Sequence, residues 1–260
     1  MESFPGRGAR TGLLVVALGG LLPGPLAGQG GTPLVTDRPD FTESAVTVPR
    51  GGVQLESGYT FTRFDDVDDH TLGEVLLRIG LADRLEARLG LGSHAWVTAE
   101  GNDPSGFEDP SLGLKAVLAR EETAGVAVAV LAATSIPIGD GDIGEDDWQP
   151  EVKLAVSRGL SETLALAANA GYARASEDGE GFDQGSGSLS LGMGLSERWG
   201  AYAEAYGTFP ATRSGDDEAV LNGGFTFLVH PLLQLDARAG AGLTDAAPDF
   251  FLGVGIARRW

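Results

Sequence analysis

The stretch FFLGVGIARRW, residues 250–260, alternates between large and small side chains over residues 252–257. One parity is apolar from Phe250 through Leu252 and Val254 to Ile256, and after Arg258 it ends on Trp260. The opposite parity carries small and charged residues after its first position, namely Gly253, Gly255, Ala257 and Arg259. Alternation with a period of two predicts a β-strand with one apolar face. This strand reaches the last residue of the sequence on an aromatic side chain, without a polar tail.

The same alternation recurs from Gly51 onward, in long segments that lack helical periodicity. Residues 123–138 are apolar on both faces and follow the pattern least clearly. Twelve segments fit it in all: 53–63, 71–82, 85–96, 111–120, 123–138, 149–160, 163–173, 185–195, 199–209, 220–229, 232–243 and 250–260.

The connections between these segments are alternately short, as at Asp83-Arg84, and long and acidic, as in GDGDIGEDD. This layout is typical of an up-and-down barrel in a bilayer, with short turns at one rim and larger loops at the other. The last strand must pair with the first, because lipid cannot hydrogen-bond an open sheet edge. We therefore predict an all-β fold, a single up-and-down transmembrane antiparallel β-barrel of about twelve strands.

The first residues have the pattern of an export signal. Arg7 and Arg10 precede an apolar run, residues 13–22, and small residues follow at Ala27 and Gly28. The run is shorter than the roughly 20 residues of a membrane-spanning helix. The predicted organisation is a cleaved signal peptide at residues 1–28, a periplasmic or plug-like lead-in at 29–50, and an outer-membrane β-barrel at 51–260.

Composition excludes several function classes. The chain has no cysteine, which rules out disulfides, cysteine-ligated zinc and thiol chemistry. Its net charge of −19 disfavours nucleic acid as a partner, because phosphate backbones are also negative.

One glycine-rich stretch, residues 139–144, matches the spacing of a dinucleotide-binding loop, but the acidic residues 145–147 and Pro150 follow instead of a helix. The acidic side chains of this region are hard oxygen donors, although their spacing misses the EF-hand loop. Of the three histidines, at positions 70, 94 and 230, only His94 suggests a catalytic alternative, because it lies beside Ser93 near the end of a strand, as an outer-membrane lipase would require. We predict no cofactor, no metal and no catalytic residue, and we expect the chain not to be an enzyme.

Parity sorts the side chains of the strands into two sets. In a membrane barrel the apolar set, such as Leu114, Leu154 and Ile256, faces lipid, and the charged set faces the lumen. A soluble barrel would reverse this arrangement, and sequence alone leaves both open. The predicted lumen-lining residues are Glu56, Glu74, Arg78, Glu86, Arg88, Lys115, Glu151, Lys153, Glu204, Asp236 and Arg238.

Two further features suggest specific roles. Asp37, Arg38 and Asp40 of the lead-in could form a plug inside the lumen, with Arg38 paired to Glu56 or Glu74; the alternative is a loose periplasmic tail. Trp260 lies on the outward parity at the end of the last strand. It is expected to join an aromatic girdle, and a terminal aromatic of this kind resembles the signal read by the barrel assembly machinery.

The segment TDRPDFTESAVTVPRGGVQLESGYTFTR, residues 36–63, resembles the start of a large bacterial family described as transporters of the phenol meta-cleavage pathway. The resemblance is most specific at residues 37–40, and a later stretch, SIPIGDGD with WQPEVKLAVSRGL, is also similar. It implies an outer-membrane barrel that takes up hydrophobic or aromatic compounds. Ile138 stands where a polar residue is expected between Pro137 and Gly139.

Three function hypotheses follow. The first is passive uptake of a small hydrophobic or aromatic solute. The second is a non-conducting structural or surface-exposed outer-membrane barrel. The third is a secreted, soluble lipid-binding barrel. For the membrane hypotheses the expected partners are outer-membrane lipid and lipopolysaccharide, the barrel assembly machinery and a small-molecule solute.

Overall fold

The computed structural model of the chain describes residues 34–99, 103–141, 143–145, 147–177 and 179–260. The predicted signal peptide lies outside the described residues. Within them no helix is both long and apolar enough to cross a membrane.

Strands account for most of the described residues. They are β1 Val53–Phe64, β2 Val67–Ala82, β3 Leu85–Gly90, β4 His94–Thr98, β5 Ser105–Phe107, β6 Ser111–Ala119, β7 Ala127–Ser135, β8 Pro150–Gly159, β9 Leu164–Glu177, β10 Glu180–Gly194, β11 Trp199–Phe209, β12 Glu218–His230, β13 Leu233–Gly242 and β14 Phe250–Arg259. A one-turn helix, α1 Glu121–Ala124, precedes β7. The predicted segment 123–138 is therefore shorter than expected, because its first residues complete this helical turn and its connection to β7.

The strands form one antiparallel sheet that closes on itself. β14 pairs with β1 over ten positions, from Gln54 opposite Arg259 to Arg63 opposite Phe250. The N–H of Trp260 extends this ladder by donating to the carbonyl of Val53 at 2.9 Å. The last strand thus pairs with the first, as the fold prediction required.

Two of the wall strands are interrupted, so that fourteen strands make a barrel of twelve. β2 pairs with β3 along its second half and with β4 along its first, which makes β3 and β4 two parts of one wall strand. β5 and β6 are related in the same way, because β5 pairs with β4 and β6 with β3. The prediction of a continuous strand over 85–96 is wrong at residues 91–93, where Gly92 has a φ of 72° and breaks the ladder.

The two faces of the wall differ as a membrane requires. Large apolar side chains are exposed on the outside, among them Leu114, Leu154, Phe225 and Ile256. The inside buries Gln54, Glu56, Arg78, Glu86 and Lys115 completely. Ionised side chains are stable in such an interior only when they are paired or hydrogen-bonded. The apolar parity therefore faces outward, and the arrangement of a soluble barrel is ruled out.

Candidate functional site in the barrel lumen

Residues 34–50 of the lead-in lie inside the barrel and contact its wall on several sides. Asp37 forms ion pairs with β2, β3 and β6. Phe41 and Thr42 donate their backbone N–H groups to Glu204 of β11. Val48 donates its own to Glu86 of β3, shortly before the chain enters β1. The lead-in thus crosses the lumen and returns.

Asp37 is the centre of the first group of contacts. Its Oδ2 lies 2.5 Å from Arg88 Nη1, 2.8 Å from Lys115 Nζ and 3.2 Å from Arg78 Nη1. Its Oδ1 accepts hydrogen bonds from the N–H and hydroxyl of Ser44, at 2.9 and 2.7 Å. Burial alone would raise the pKa of Asp37, but the three cations outweigh it and hold the pKa well below its usual range. The carboxylate is therefore ionised and neutralises one side of the wall.

Arg78 links the wall to the lead-in at two places, near its start and near its end. Its guanidinium lies 2.9 Å from Glu56 Oε1 and 2.9 Å from Glu86 Oε1. It also donates to the backbone carbonyls of Val35 and Val46, at 3.2 and 3.1 Å. With Asp37, these residues make five partners for one buried guanidinium, and this part of the lead-in is therefore held in a single register.

Arg38 forms a second group of contacts on the side of β1, β2, β13 and β14. Its guanidinium pairs with Glu74 and lies 3.5 Å from Asp236 Oδ1. Of the two partners considered from the sequence, Glu74 accepts the side chain, whereas Glu56 accepts the backbone N–H of Arg38 at 3.0 Å. Gly58 and Gly255 leave the space for it, since a Cβ at either position would lie 2.3 or 2.5 Å from guanidinium atoms.

Glu74 is turned into the lumen by an irregularity in β2. Its φ is 42°, a left-handed conformation that a residue other than glycine seldom adopts, and its N–H donates to Ser93 Oγ at 3.2 Å. The ladder between β1 and β2 shifts register at this place, between Glu56 and Gly58. As a result the carboxylate accepts from Thr60 Oγ1 at 2.5 Å and lies 3.3 Å from Arg238 Nη2.

Glu204 holds the middle of the lead-in through hydrogen bonds. It accepts from the backbone N–H groups of Phe41 and Thr42, at 2.9 and 2.6 Å, and from the Thr42 hydroxyl. Asn222 Nδ2 donates to the same carboxylate at 2.6 Å. Four donors on one buried carboxylate satisfy it without a cation.

Asp40 is a second carboxylate in this region, and Ser190 Oγ donates to it at 3.2 Å. Burial is the main reason that its pKa is raised to about 8, and the neighbouring Glu204 adds to the effect. Burial therefore favours the neutral form of Asp40.

The ring of Phe41 occupies an aromatic and cationic site. It stacks on Tyr206 of β11 with 4.3 Å between ring centroids and an interplanar angle of 6°. Lys153 of β8 lies over the same ring, with Nζ 5.3 Å from the centroid. Tyr206 in turn packs against the buried Val220 and Phe251. The lumen thus has an aromatic face formed by Tyr206 of β11 and Phe251 of β14.

Glu43 binds the opposite, cationic face. Its carboxylate lies 3.0 Å from Lys153 Nζ and 2.7 Å from Arg88 Nη2. Asn169 of β9 fixes its backbone, accepting from the N–H at 2.7 Å and donating to the carbonyl at 3.0 Å. A cavity of about 160 Å³ lies beside this contact and is lined by Glu43, Arg88 and Glu151 among others.

The residues selected from the sequence as lumen-lining are brought together here, and most of them pair with another strand or with the lead-in rather than along their own strand. Glu86 and Arg88 are 3.1 Å apart on β3. In contrast, Glu74 and Asp236 pair with Arg38, and Lys153 pairs with Glu43. The lead-in supplies most of the ion-pair partners that these wall residues do not find on their own strands.

Sequence reasoning missed Glu43, Asn169 and Tyr206 as members of the site, and it gave Phe41, which lies in the predicted plug, no contact of its own. Asn169 is a lone polar residue within LALAANAGYA, and its parity could have identified it. Tyr206 shares the parity of Glu204, two residues earlier on the same strand, and could have been identified in the same way. Trp260 is exposed on the outside, where the Arg258 guanidinium lies 4.9 Å from its ring.

A known family matches residues 36–260, almost the whole described chain, and its description is "Putative MetA-pathway of phenol degradation". The chain belongs to this family. No curated protein sequence is significantly similar to it.

Solved outer-membrane barrels have the same fold. The COG4313 outer membrane channel from Pseudomonas putida F1 superposes with a TM-score of 0.68 and 14% identity, over 83% of this chain and 98% of that one. The KdgM porin gives 0.55 and 8%, over 79% and 98%, and the NanC porin 0.52 and 8%, over 79% and 98%. These similar proteins are channels and porins, and at this identity the likeness establishes the fold. Together with the closed sheet and the apolar outer wall, it places the chain in the bacterial outer membrane.

Proposed function

We propose that the chain is a passive outer-membrane channel for small hydrophobic or aromatic solutes, and that the lead-in closes its lumen. The observation that carries this proposal is the position of residues 34–50, which cross the lumen of a channel-type barrel. The contacts are ion pairs, hydrogen bonds and ring stacking, so the lead-in can leave without breaking a covalent bond.

The aromatic character of the solute is supported by the inner wall. Tyr206 and Phe251 face the lumen, and Arg238 lies over Phe251, 5.4 Å from its centroid. Aromatic faces bind rings by stacking and cations by their quadrupole, so such a wall favours a flat solute over a sugar. The family description, which concerns phenol degradation, agrees with this choice.

The second candidate is a non-conducting structural or surface-exposed barrel. The dense pairing around Asp37 and Arg78 favours it, because buried networks of this kind also serve simply to fill an interior. A barrel of twelve strands lies between the eight-stranded ones that side chains fill and the open porins of sixteen strands or more.

Conductance decides between the two candidates. The full barrel and a variant lacking residues 32–49 are compared in planar bilayers, with liposome swelling in phenol and in glucose as the solute test. The channel proposal predicts low conductance for the full chain, higher conductance for the deletion, and faster swelling in phenol than in glucose. A deletion variant that migrates as a folded, heat-modifiable barrel and still does not conduct would show the barrel to be structural.

The remaining assignments are part of the same proposal. We assign no enzymatic role to the chain; His70 and His94 lie in an outward-facing aromatic group around Trp96. Absence of fatty-acid release from detergent-dispersed phospholipid is the expected result. Residues 1–28 are proposed as the cleaved signal, which N-terminal sequencing of the mature protein tests. Residues 29–50 are proposed as the plug, which the deletion of residues 32–49 tests.

We further propose two partners for assembly and environment. Trp260, exposed beside the closing pair of strands, is the contact for the barrel assembly machinery. Substitution of Trp260 by alanine is expected to lower the yield of folded barrel in cells but not refolding into detergent. The acidic loops are proposed to meet lipopolysaccharide through shared divalent cations, and calorimetric titration of Ca²⁺ into the refolded protein tests this.

A further inference from the structure

Phe41 and Glu43 place a ring and a carboxylate two residues apart in one part of the lumen. The ring lies on Tyr206, and the carboxylate lies between Lys153 and Arg88. Lys153 belongs to both contacts, because its Nζ is 5.3 Å from the ring centroid and 3.0 Å from Glu43 Oε1. Lys153 thus belongs to two neighbouring positions: the aromatic seat, where Phe41 lies on Tyr206, and the anion seat, where Glu43 lies between Lys153 and Arg88.

The wall keeps these two seats when the lead-in leaves, because none of their side chains belongs to the lead-in. Tyr206 is fixed by packing against Val220 and Phe251. Arg88 retains Glu86 at 3.1 Å as a partner on its own strand. The cavity of about 160 Å³ beside Glu43 and Arg88 extends the site into the lumen. Its lining includes Glu151, which disfavours a second negative charge on the occupant.

Charge balance then selects the chemistry of the occupant. Departure of the lead-in removes Asp37 and Glu43, which leaves Lys115 and Lys153 without these ion-pair partners and Arg88 without two of its three. A buried cation whose partner is removed is costly, so an anion that enters replaces a lost interaction, whereas a neutral ring does not. The aromatic face opposite requires that this anion also carry a ring.

We infer that Phe41 and Glu43 occupy the binding site of the solute, and that the solute is a monocarboxylate with an aromatic ring. The ring takes the place of Phe41 on Tyr206, and the carboxylate takes the place of Glu43 beside Lys153 and Arg88. Binding there competes with the lead-in and favours its release. This inference rests on the proposed channel function and names its solute class.

The test is the binding of benzoate to the full-length barrel in detergent, followed by ligand-observed NMR. Benzyl alcohol is the neutral aromatic control, and acetate is the anion without a ring. The substitution Phe41→Ala empties the aromatic seat of its tethered occupant and is expected to raise benzoate affinity at least tenfold. Lys153→Gln is expected to lower it by a similar factor. Phe250→Ala, which removes a ring from the outer wall, is expected to change nothing.

Equal binding of benzoate and benzyl alcohol, or a Phe41→Ala barrel that binds benzoate no better than the parent, would overturn the inference. Heat-modifiable gel mobility confirms that each variant is folded. The conductance of the variant lacking residues 32–49 distinguishes failure of the solute class from failure of the channel function. If the variant conducts but shows no preference for benzoate, only the solute class is rejected. If it does not conduct, the channel function is rejected.

Discussion

Oδ2 of Asp37 accepts a hydrogen bond from Nζ of Lys115 at 2.8 Å, although the two residues are 78 positions apart in the sequence. Both side chains are almost completely buried. Asp37 belongs to the lead-in and Lys115 to β6, so this contact joins the lead-in to the barrel wall. Since a buried charge without its partner is costly, the position of the lead-in and the charge balance of the wall depend on each other.

The substitution Asp37→Asn tests this dependence. It leaves Arg78, Arg88 and Lys115 facing a neutral amide, and removal of one partner from a buried charge network costs about 3–5 kcal/mol. We expect a loss of that order in the free energy of unfolding, measured by urea titration in lipid vesicles, together with higher conductance. The exposed Glu162→Gln is the control for loss of one negative charge. Unchanged stability and conductance would show that Asp37 does not hold the lead-in.

The carboxyl of Asp40 makes the lead-in sensitive to pH. Its pKa is raised to about 8 by burial and by Glu204, with smaller contributions that include Asp37, while Ser190 donates to it and Arg238 donates to the neighbouring Pro39 carbonyl. A raised carboxyl pKa gives stability that is complete below the unfolded value, near 4, and is lost as pH rises through about 8.

We therefore expect more frequent channel openings at pH 8.5 than at pH 5.5. The substitution Asp40→Asn keeps the neutral form at both values and is expected to abolish the difference in single-channel recordings. Asp37 and Glu43, whose pKa values are lowered, lose their contribution only in more acidic solution, outside this window. An equal pH response in Asp40→Asn would assign the effect to another group.

The close approach of Gly58 to the Arg38 guanidinium provides a third test of how the lead-in is held. The substitution Gly58→Ala places a Cβ about where this guanidinium lies, 2.3 Å from Nη2, and separates Arg38 from Glu74. Overpacking of this kind costs about 1–3 kcal/mol, which we expect as a lower urea midpoint. Gly187→Ala is the matched control, because a Cβ there meets nothing within 4 Å. Equal destabilisation by the two substitutions would mean that strand glycines matter only for backbone entropy.

The outer wall provides a test of membrane orientation that does not involve the lumen. Leu154 lies in the middle of β8 and is exposed on the outside, whereas Leu160 is exposed at the turn that follows. Arginine on the lipid face costs about 2–4 kcal/mol at mid-depth and about 0–1 kcal/mol near the interface. We expect Leu154→Arg to lower stability in vesicles by the larger amount and Leu160→Arg by the smaller. Similar losses for both would contradict this orientation.

The sequence by itself determined the closed barrel and sorted its side chains into two faces, but not which face meets lipid. Period-two alternation is a local signal that each strand carries independently, as residues 250–260 show, and an edge in lipid has no alternative to pairing with the first strand. Parity likewise put Glu56, Arg78 and Lys115 on one face, and their complete burial in the structure shows that this face is the inner one. The interruption at Gly92 was not foreseen, because a break in the ladder leaves the alternation nearly intact on either side.

Only the tertiary structure decided how the lumen is filled. The same charges allowed pairing along one strand, yet Arg38 joins Glu74 and Asp236, and Glu43 joins Lys153 over 110 positions of sequence. The stacking of the Phe41 ring on Tyr206 likewise joins residues that are far apart in the sequence. The physical reason is that spacing fixes only the face on which a side chain lies. Which groups meet across a lumen depends on the tilt, closure and register of the whole barrel, and on the path that the lead-in takes through it.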